Sequence, residues 1–231
     1  MHAQHRQGCE ARITGDPERA IITVNSRRLR RRRRSSIGHE LGHWQHHRGR
    51  ILVCRANDIG RGRRNASPAE RTADSYAADL LLPAYLFKPV ARAYPKLDFA
   101  TVQVIADIFD ASYTATAIRL VETGHAYALL VCHGREGRKW FTSTPGVPDR
   151  WFPRKDLDNE SSAPDVLSGR AGDDAGLRKI GADAWFDRIE AARYEALEQT
   201  ISVGTDEILS LIVIGDEEML EDTESFSARR R

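Results

Sequence analysis

The sequence predicts an α+β fold in three parts: a domain of helices with a small strand pair, a pair of short amphipathic helices, and a small antiparallel-sheet α+β domain. Three observations carry that prediction. The β-branched run Ala20-Ile21-Ile22-Thr23-Val24-Asn25 follows a Gly15-Asp16-Pro17 turn signal and reads as a strand. Ser67-Pro68-Ala69-Glu70 opens a helix clearly, with a hydroxyl at the N-cap, proline at the first helical position and a glutamate three residues after the cap. After residue 125, apolar runs alternate with glycine turns, the texture of a sheet. The parts fall at residues 1–96, 97–124 and 125–215, and the charged tail at 216–231 is expected to be disordered.

In chain order, residues 10–14 are the expected hairpin partner of the first strand. A helix should run from Ser36 to His47 and stop at Gly49. Residues 55–66, rich in Arg, Gly and Asn, read as a loop. The helix opened by Ser67 carries Ala73, Ala77 and Ala78 beside Leu80, Leu81 and Leu82, a face for close packing, and Pro83 ends it. Thr101 to Phe109 and Ser112 to Glu122 are amphipathic and joined by Asp110-Ala111, which predicts a helix-turn-helix-like unit. Strands are expected at Ala126 to Cys132 and Arg138 to Thr142 around a Gly134 to Gly137 turn. A loop is expected over 154–175, and a second antiparallel pair at Tyr194 to Ser202 and Ile208 to Ile214. There is no internal repeat.

With 231 residues and 41% hydrophobic content, the chain can bury a substantial core. No apolar run nears the roughly 18 residues of a membrane span, and no apolar leader opens the chain. Cys9, Cys54 and Cys132 are scattered and odd in number, so they read as reduced thiols. A cytoplasmic protein without membrane association is expected. The net charge of +2 conceals an asymmetry: residues 1–100 hold 20 Lys+Arg against 9 Asp+Glu, the remainder 15 against 24. Arginine fills every position from Arg27 to Arg34 except Leu29. The expectation is a solvated loop beside the following helix, with an acidic partner or nucleic acid as the alternative. No aromatic residues interleave with the run, against a single-strand stacking site.

The chemistry concentrates at His39-Glu40-Leu41-Gly42-His43. On a helix, positions i and i+4 share a face, so both imidazoles can reach one metal ion, with Glu40 close enough to act on a water held there. This is the H-E-x-x-H arrangement of zinc peptidases. Catalytic zinc takes three protein ligands and keeps a place for water; Glu70 is the candidate third ligand and Glu40 the general base. Glu70 has a competing role, folding back onto the Ser67 amide in a capping box. Asp74, one turn later on the same face, is either a support for a ligating imidazole or a solvated charge. His47 lies at i+4 from His43 and is a candidate for the cleft edge, His46 is expected to be exposed, and His2, His5, His125 and His133 lack ligand spacing.

Two segments carry a resemblance. Arg34 to His47 is similar to the arginine, apolar segment and H-E-L-G-H helix of the ImmA/IrrE metallopeptidases. Glu70-Arg71-Thr72-Ala73-Asp74-Ser75-Tyr76-Ala77-Ala78-Asp79-Leu80-Leu81-Leu82-Pro83 resembles that family's E-x-x-A-[ND]-x-[FY]-A-A-x-L-L-x-P helix. The resemblance implies a zincin-like domain with Glu70 as third ligand. It also implies zinc as the ion (manganese or iron being alternatives) and a cytoplasmic endopeptidase acting on a regulatory protein such as a helix-turn-helix repressor, in stress response. Ser35 stands where the family commonly has Phe. Only 38 residues precede His39, fewer than is usual in the family, so the expectation is either a start upstream of Met1 or a scaffold lacking its first part.

Two other readings remain open on sequence: a metal-binding regulatory or sensor protein with little turnover, and a DNA-binding regulator using residues 101–123. Direct DNA binding is not expected, because the second helix of that pair offers a single basic residue, Arg119.

Overall fold

The computed structural model describes residues 11–15, 18–47, 67–204 and 206–221. The chain is α+β and divides into two compact units. One comprises Met1–Ala91 with Gln103–Arg119, the other Arg92–Val102 with Leu120–Arg231. The division passes through α4 (Phe99–Phe109) and α5 (Tyr113–Glu122) and also separates Arg92 from the helix that it ends.

In the first unit, β1 (Ala11–Gly15) and β2 (Ala20–Val24) form an antiparallel hairpin, with Ile13 opposite Ile22. The alternation in β2 is as expected: Ala20, Ile22 and Val24 turn inward while Ile21 and Thr23 are exposed. Helix α1 spans Arg30–His46, starting six residues before the expected Ser36. The second half of the arginine run is therefore helix, a correction to the expected solvated loop. Four arginines in the first turn face the positive end of the helix dipole, with no acidic residue there and no side-chain cap at Leu29. The offset comes from Asp107 and Asp110. Asp110 pairs with Arg30, Arg31 and Arg34, and Asp107 with Arg31. Arg34 also donates to the carbonyls of Asp110 and Phe109, which end α4. Ser35, in the place of an aromatic, bonds the Ser112 hydroxyl at 3.0 Å, so a polar tie replaces apolar packing.

Helix α2 (Pro68–Leu81) starts as the sequence predicts, with the Ser67 hydroxyl accepting from the Glu70 amide. It packs on α1 through small residues. A Cβ on Gly42 would meet the Ala73 backbone at 2.8 Å, and one on Gly38 would meet the Ala77 Cβ at 3.3 Å. Pro83 ends α2, and α3 (Ala84–Arg92) follows, burying Phe87 and Ala91. The expected loop at 55–66 lies outside the described residues.

Helix α4 begins at Phe99, earlier than Thr101, because the Asp98 carboxylate caps the Thr101 amide at 2.8 Å. The second unit is a five-stranded antiparallel sheet of order β4-β3-β7-β6-β5. Its strands are β3 (Ala128–Gly134), β4 (Gly137–Ser143), β5 (Arg178–Gly181), β6 (Glu195–Gly204) and β7 (Glu207–Ile214). β3 is buried along its whole length, and Leu129, Val131 and Ile212 join Trp151, Trp185 and Phe186 in the core. Glu198 is buried but satisfied: Trp185 Nε1 donates to it at 2.6 Å and the Ser162 amide at 3.0 Å, and Arg178 pairs with it.

Three differences from expectation stand in this unit. The stretch expected to be loop over 154–175 contains α6 (Ala163–Ser168), closed by Gly169 with φ +73°. β5, the short polar edge strand, was not expected. Residues Glu217–Met219 form a 3-10 turn with Met219 fully buried and its carbonyl accepting from the Trp151 indole, so order extends past Asp216 into the expected tail. Residues 222–231 lie outside the described residues.

Candidate metal centre

The α1–α2 packing brings His39, His43 and Glu70 together, all three buried. His39 Nε2 lies 3.1 Å from Glu70 Oε2, His43 Nε2 lies 3.3 Å from Glu70 Oε1, and the two Nε2 atoms are 3.0 Å apart. These spacings fit a metal. Ligand atoms about 2.0–2.1 Å from a tetrahedral zinc stand roughly 3.3 Å from one another. Among the described residues these three form the group of His, Cys, Asp and Glu side chains able to hold an ion.

Of the two roles weighed for its carboxylate, the structure has Glu70 facing the histidines; the cap seen at this helix start is the reciprocal bond, from the Glu70 amide to the Ser67 hydroxyl. The histidines' hydrogen bonds hold that carboxyl well below the ordinary glutamate value, so it stays an anion as an ion's ligand must.

Asp74 Oδ1 lies 2.7 Å from His39 Nδ1. With one proton kept on Nδ1 by Asp74, an ion at this site would replace the Nε2 proton that here faces Glu70 and meet the lone pair that ligates. His47 caps the end of α1, its ring centroid 5.5 Å from that of His43, and stands outside the three-residue group. His46 is exposed, as expected, and meets Tyr76 edge-on at 5.7 Å.

Glu40 is buried beside this group, and neither carboxylate oxygen has a hydrogen-bond partner of good geometry among the described residues. Burial pushes its carboxyl above the ordinary value, opposed by His39 and His43 and more weakly by the nearby backbone of Ile13. A carboxylate held in this way favours taking up a proton. Sequence reasoning gave Ile13 no place in the site. It also missed the arginine ties to Asp107 and Asp110, which join partners about 76 residues apart without any local signal.

Among the described residues, His125 and His133 stand outside the three-residue group, as their spacing implied. His125 is partly buried and His133 fully buried in the sheet; burial pushes His133 down to about 4. His2 and His5 lie outside the described residues, as do Cys9 and Cys54. Cys132 is a buried free thiol pushed up to about 12. No described helix is long and apolar enough to cross a membrane.

An H-E-x-x-H helix clasped to a glutamate-bearing helix in an α+β chain defines a metallopeptidase-like class. The chain belongs to the peptidase M78 family: the IrrE N-terminal-like domain matches residues 5–121. No curated protein is similar enough in sequence to match. Among solved structures, a Mycobacterium tuberculosis transcriptional regulator shares the fold with a TM-score of 0.53 at 12% identity. The match covers 91% of this chain and 63% of that one, so the chain spans less than two thirds of the regulator. Family membership supports a peptidase-type, metal-dependent enzyme.

Proposed function

We propose that the chain is a zinc-dependent endopeptidase that hydrolyses a peptide bond in a regulatory protein such as a transcriptional repressor. The observation that carries the reading is the convergence of His39, His43 and Glu70 to within 3.3 Å beside a buried, unbonded Glu40. His39, His43 and Glu70 are the proposed ligands, and zinc suits two imidazoles and a carboxylate. When bound, the ion supplies Lewis acidity to a water and to the scissile carbonyl. Asp74 fixes the His39 ring by holding the proton on Nδ1. Glu40 accepts the proton of the attacking water and hands it to the leaving amine. Its raised affinity for protons suits both halves of that transfer. His47 lines the cleft beyond His43. The choice of a helix-turn-helix repressor as substrate and a cytoplasmic setting rest on family membership and on the resemblance of the motifs.

The DNA-binding alternative loses its main support. None of the ten residues of α5 is exposed, and Arg119 is engaged by Asp79 at 2.7 Å and the Leu82 carbonyl at 3.1 Å. A groove-reading helix needs free donors on an open face.

The test is incubation of zinc-loaded protein with candidate helix-turn-helix repressors from the same genome, taking first any encoded beside it, with fragments identified by mass spectrometry. Glu40→Gln should retain the metal and lose about 100-fold or more in rate, the usual share of a general base. Cleavage by Glu40→Gln at the natural rate would remove Glu40 from its assigned role.

A further inference from the structure

The arginine run is the densest charge in the chain, and the metal centre makes no use of it. Arginine fills every position from Arg27 to Arg34 except Leu29, and Arg27, Arg28, Arg30 and Arg32 are exposed. A defined turn presents them. The Asn25 side chain accepts from the Arg27 amide at 3.0 Å, and its carbonyl accepts from the Arg28 amide at 3.2 Å. Helix α1 then begins at Arg30 with no side-chain cap and no acidic residue in its first turn. The positive pole of the helix therefore lies within the cationic cluster and adds to it.

Asp107 and Asp110 meet one side of this cluster, through Arg30, Arg31 and Arg34. Arg32 is two residues from both Arg30 and Arg34, which turns it roughly 160° round the helix from each. It leaves α1 on the side away from the aspartates. Arg12, opposite Thr23 in the hairpin, is exposed at the strand end that leads into Asn25. Concentrated like charge of this kind draws in a polyanion, and the neighbouring residues decide which. A protein interface is built round an apolar or aromatic centre, yet Leu29 is the single apolar residue in 25–32. A phosphate backbone is held by charge and by guanidinium forks, with no such centre. The run also lacks the aromatic platforms that separated bases stack on, which favours a duplex.

We infer that Arg12, Arg27, Arg28 and Arg32 bind the phosphate backbone of a nucleic-acid duplex without reading its bases. The surface is separate from α5, whose residues are enclosed. The contact stands whether or not the chain is a peptidase. On the peptidase reading, it holds the enzyme on the same DNA as a bound repressor. Four neutralised phosphates give a plot of log affinity against log salt a slope of about −3 to −4.

The experiment follows the fluorescence anisotropy of short labelled duplexes, two DNAs of unrelated sequence and one RNA, on adding the full zinc-loaded chain. Both DNAs should bind equally, and affinity should fall about 100-fold between about 50 and 200 mM salt. Arg12→Gln and Arg27→Gln should each flatten the slope by about 1. Arg27→Gln, Arg28→Gln and Arg32→Gln together should flatten it by about 3, with zinc content and circular dichroism unchanged. Three exposed arginines of the sheet, Arg135, Arg170 and Arg188, serve as the control. Their joint replacement by Gln removes the same charge and should leave the slope as it was. The tighter of DNA and RNA names the source of the phosphates. If the triple variant of the run does not fold, the two single variants decide. Absence of binding at low salt overturns the proposal, as does a clear preference between the two DNAs or an equal flattening in the control. Tighter binding of polyglutamate than of a duplex of equal charge also overturns it, and gives the arginines to an acidic polypeptide.

Discussion

Gly42→Ala tests whether the closeness of α1 and α2 makes the metal centre. A Cβ at position 42 would stand 2.8 Å from the Ala73 Cα and from its carbonyl oxygen, and 3.1 Å from the Tyr76 Cβ. Favourable contacts between carbon atoms begin near 3.5 Å, so the helices must part by roughly 0.7 Å at this point. The nearest atoms are backbone and cannot swing away. Glu70 lies one turn before Ala73 on the same helix and moves with it, whereas a metal site tolerates about 0.2 Å around its ideal distances. Alanine is the better helix former by roughly 1 kcal/mol, but overpacking typically costs about 1–3 kcal/mol, and here the second effect wins. Zinc affinity, measured by competition with a chromophoric chelator, should fall by about 10-fold or more, while far-ultraviolet circular dichroism retains the helices. Gly38→Ala, whose nearest neighbour is the Ala77 Cβ at 3.3 Å, should lose less. Undiminished zinc affinity in Gly42→Ala would show that the helix spacing does not set the ligand geometry.

Three further outcomes follow from the site and the sheet. Asp74→Ala should weaken zinc binding by about 10–100-fold through the freed His39 ring; equal affinity by the same chelator assay would assign Asp74 to the solvated face. Ser67→Ala should lower stability by about 1 kcal/mol in urea and weaken zinc binding along with it, because Glu70 sits in the turn that the cap organises. His133, near Arg138 and Asp156, takes its proton at about 4 in the fold, below its ordinary 6.5. The unfolded chain is therefore protonated first, and stability falls as pH drops from about 6.5 to 4, by about 3 kcal/mol, with no contribution above that window. His133→Gln should flatten this part of the stability–pH curve, and parallel curves for the two proteins would contradict the assignment.

The grouping of His39, His43 and Glu70 was legible because its signals are local. Five residues carry both imidazoles and Glu40, and a Ser-Pro-Ala-Glu start places Glu70 in the first turn of the next helix. The small residues Gly42, Ala73 and Ala77 forecast close packing, and close packing is what joins the two motifs. The hairpins β1–β2, β3–β4 and β6–β7 were readable for a similar reason, as short turns link alternating or apolar runs. What escaped depends on partners far along the chain. The N-terminal extension of α1 needs Asp107 and Asp110 to neutralise its arginines. β5 is four residues with one buried apolar side chain, and pairing with β6 makes it a strand. Met219 joins the core through Trp151 although its flanking residues are acidic.

The salt-linked corner at Arg31, Arg34, Asp107 and Asp110 bears on how the gene should be dissected. A fragment stopped near residue 96 would strand a cluster of like charges at the wrong pole of the very helix that bears His39 and His43. Expression boundaries for an excised N-terminal piece therefore belong beyond Glu122, where the counter-charges and the turn that carries them come along.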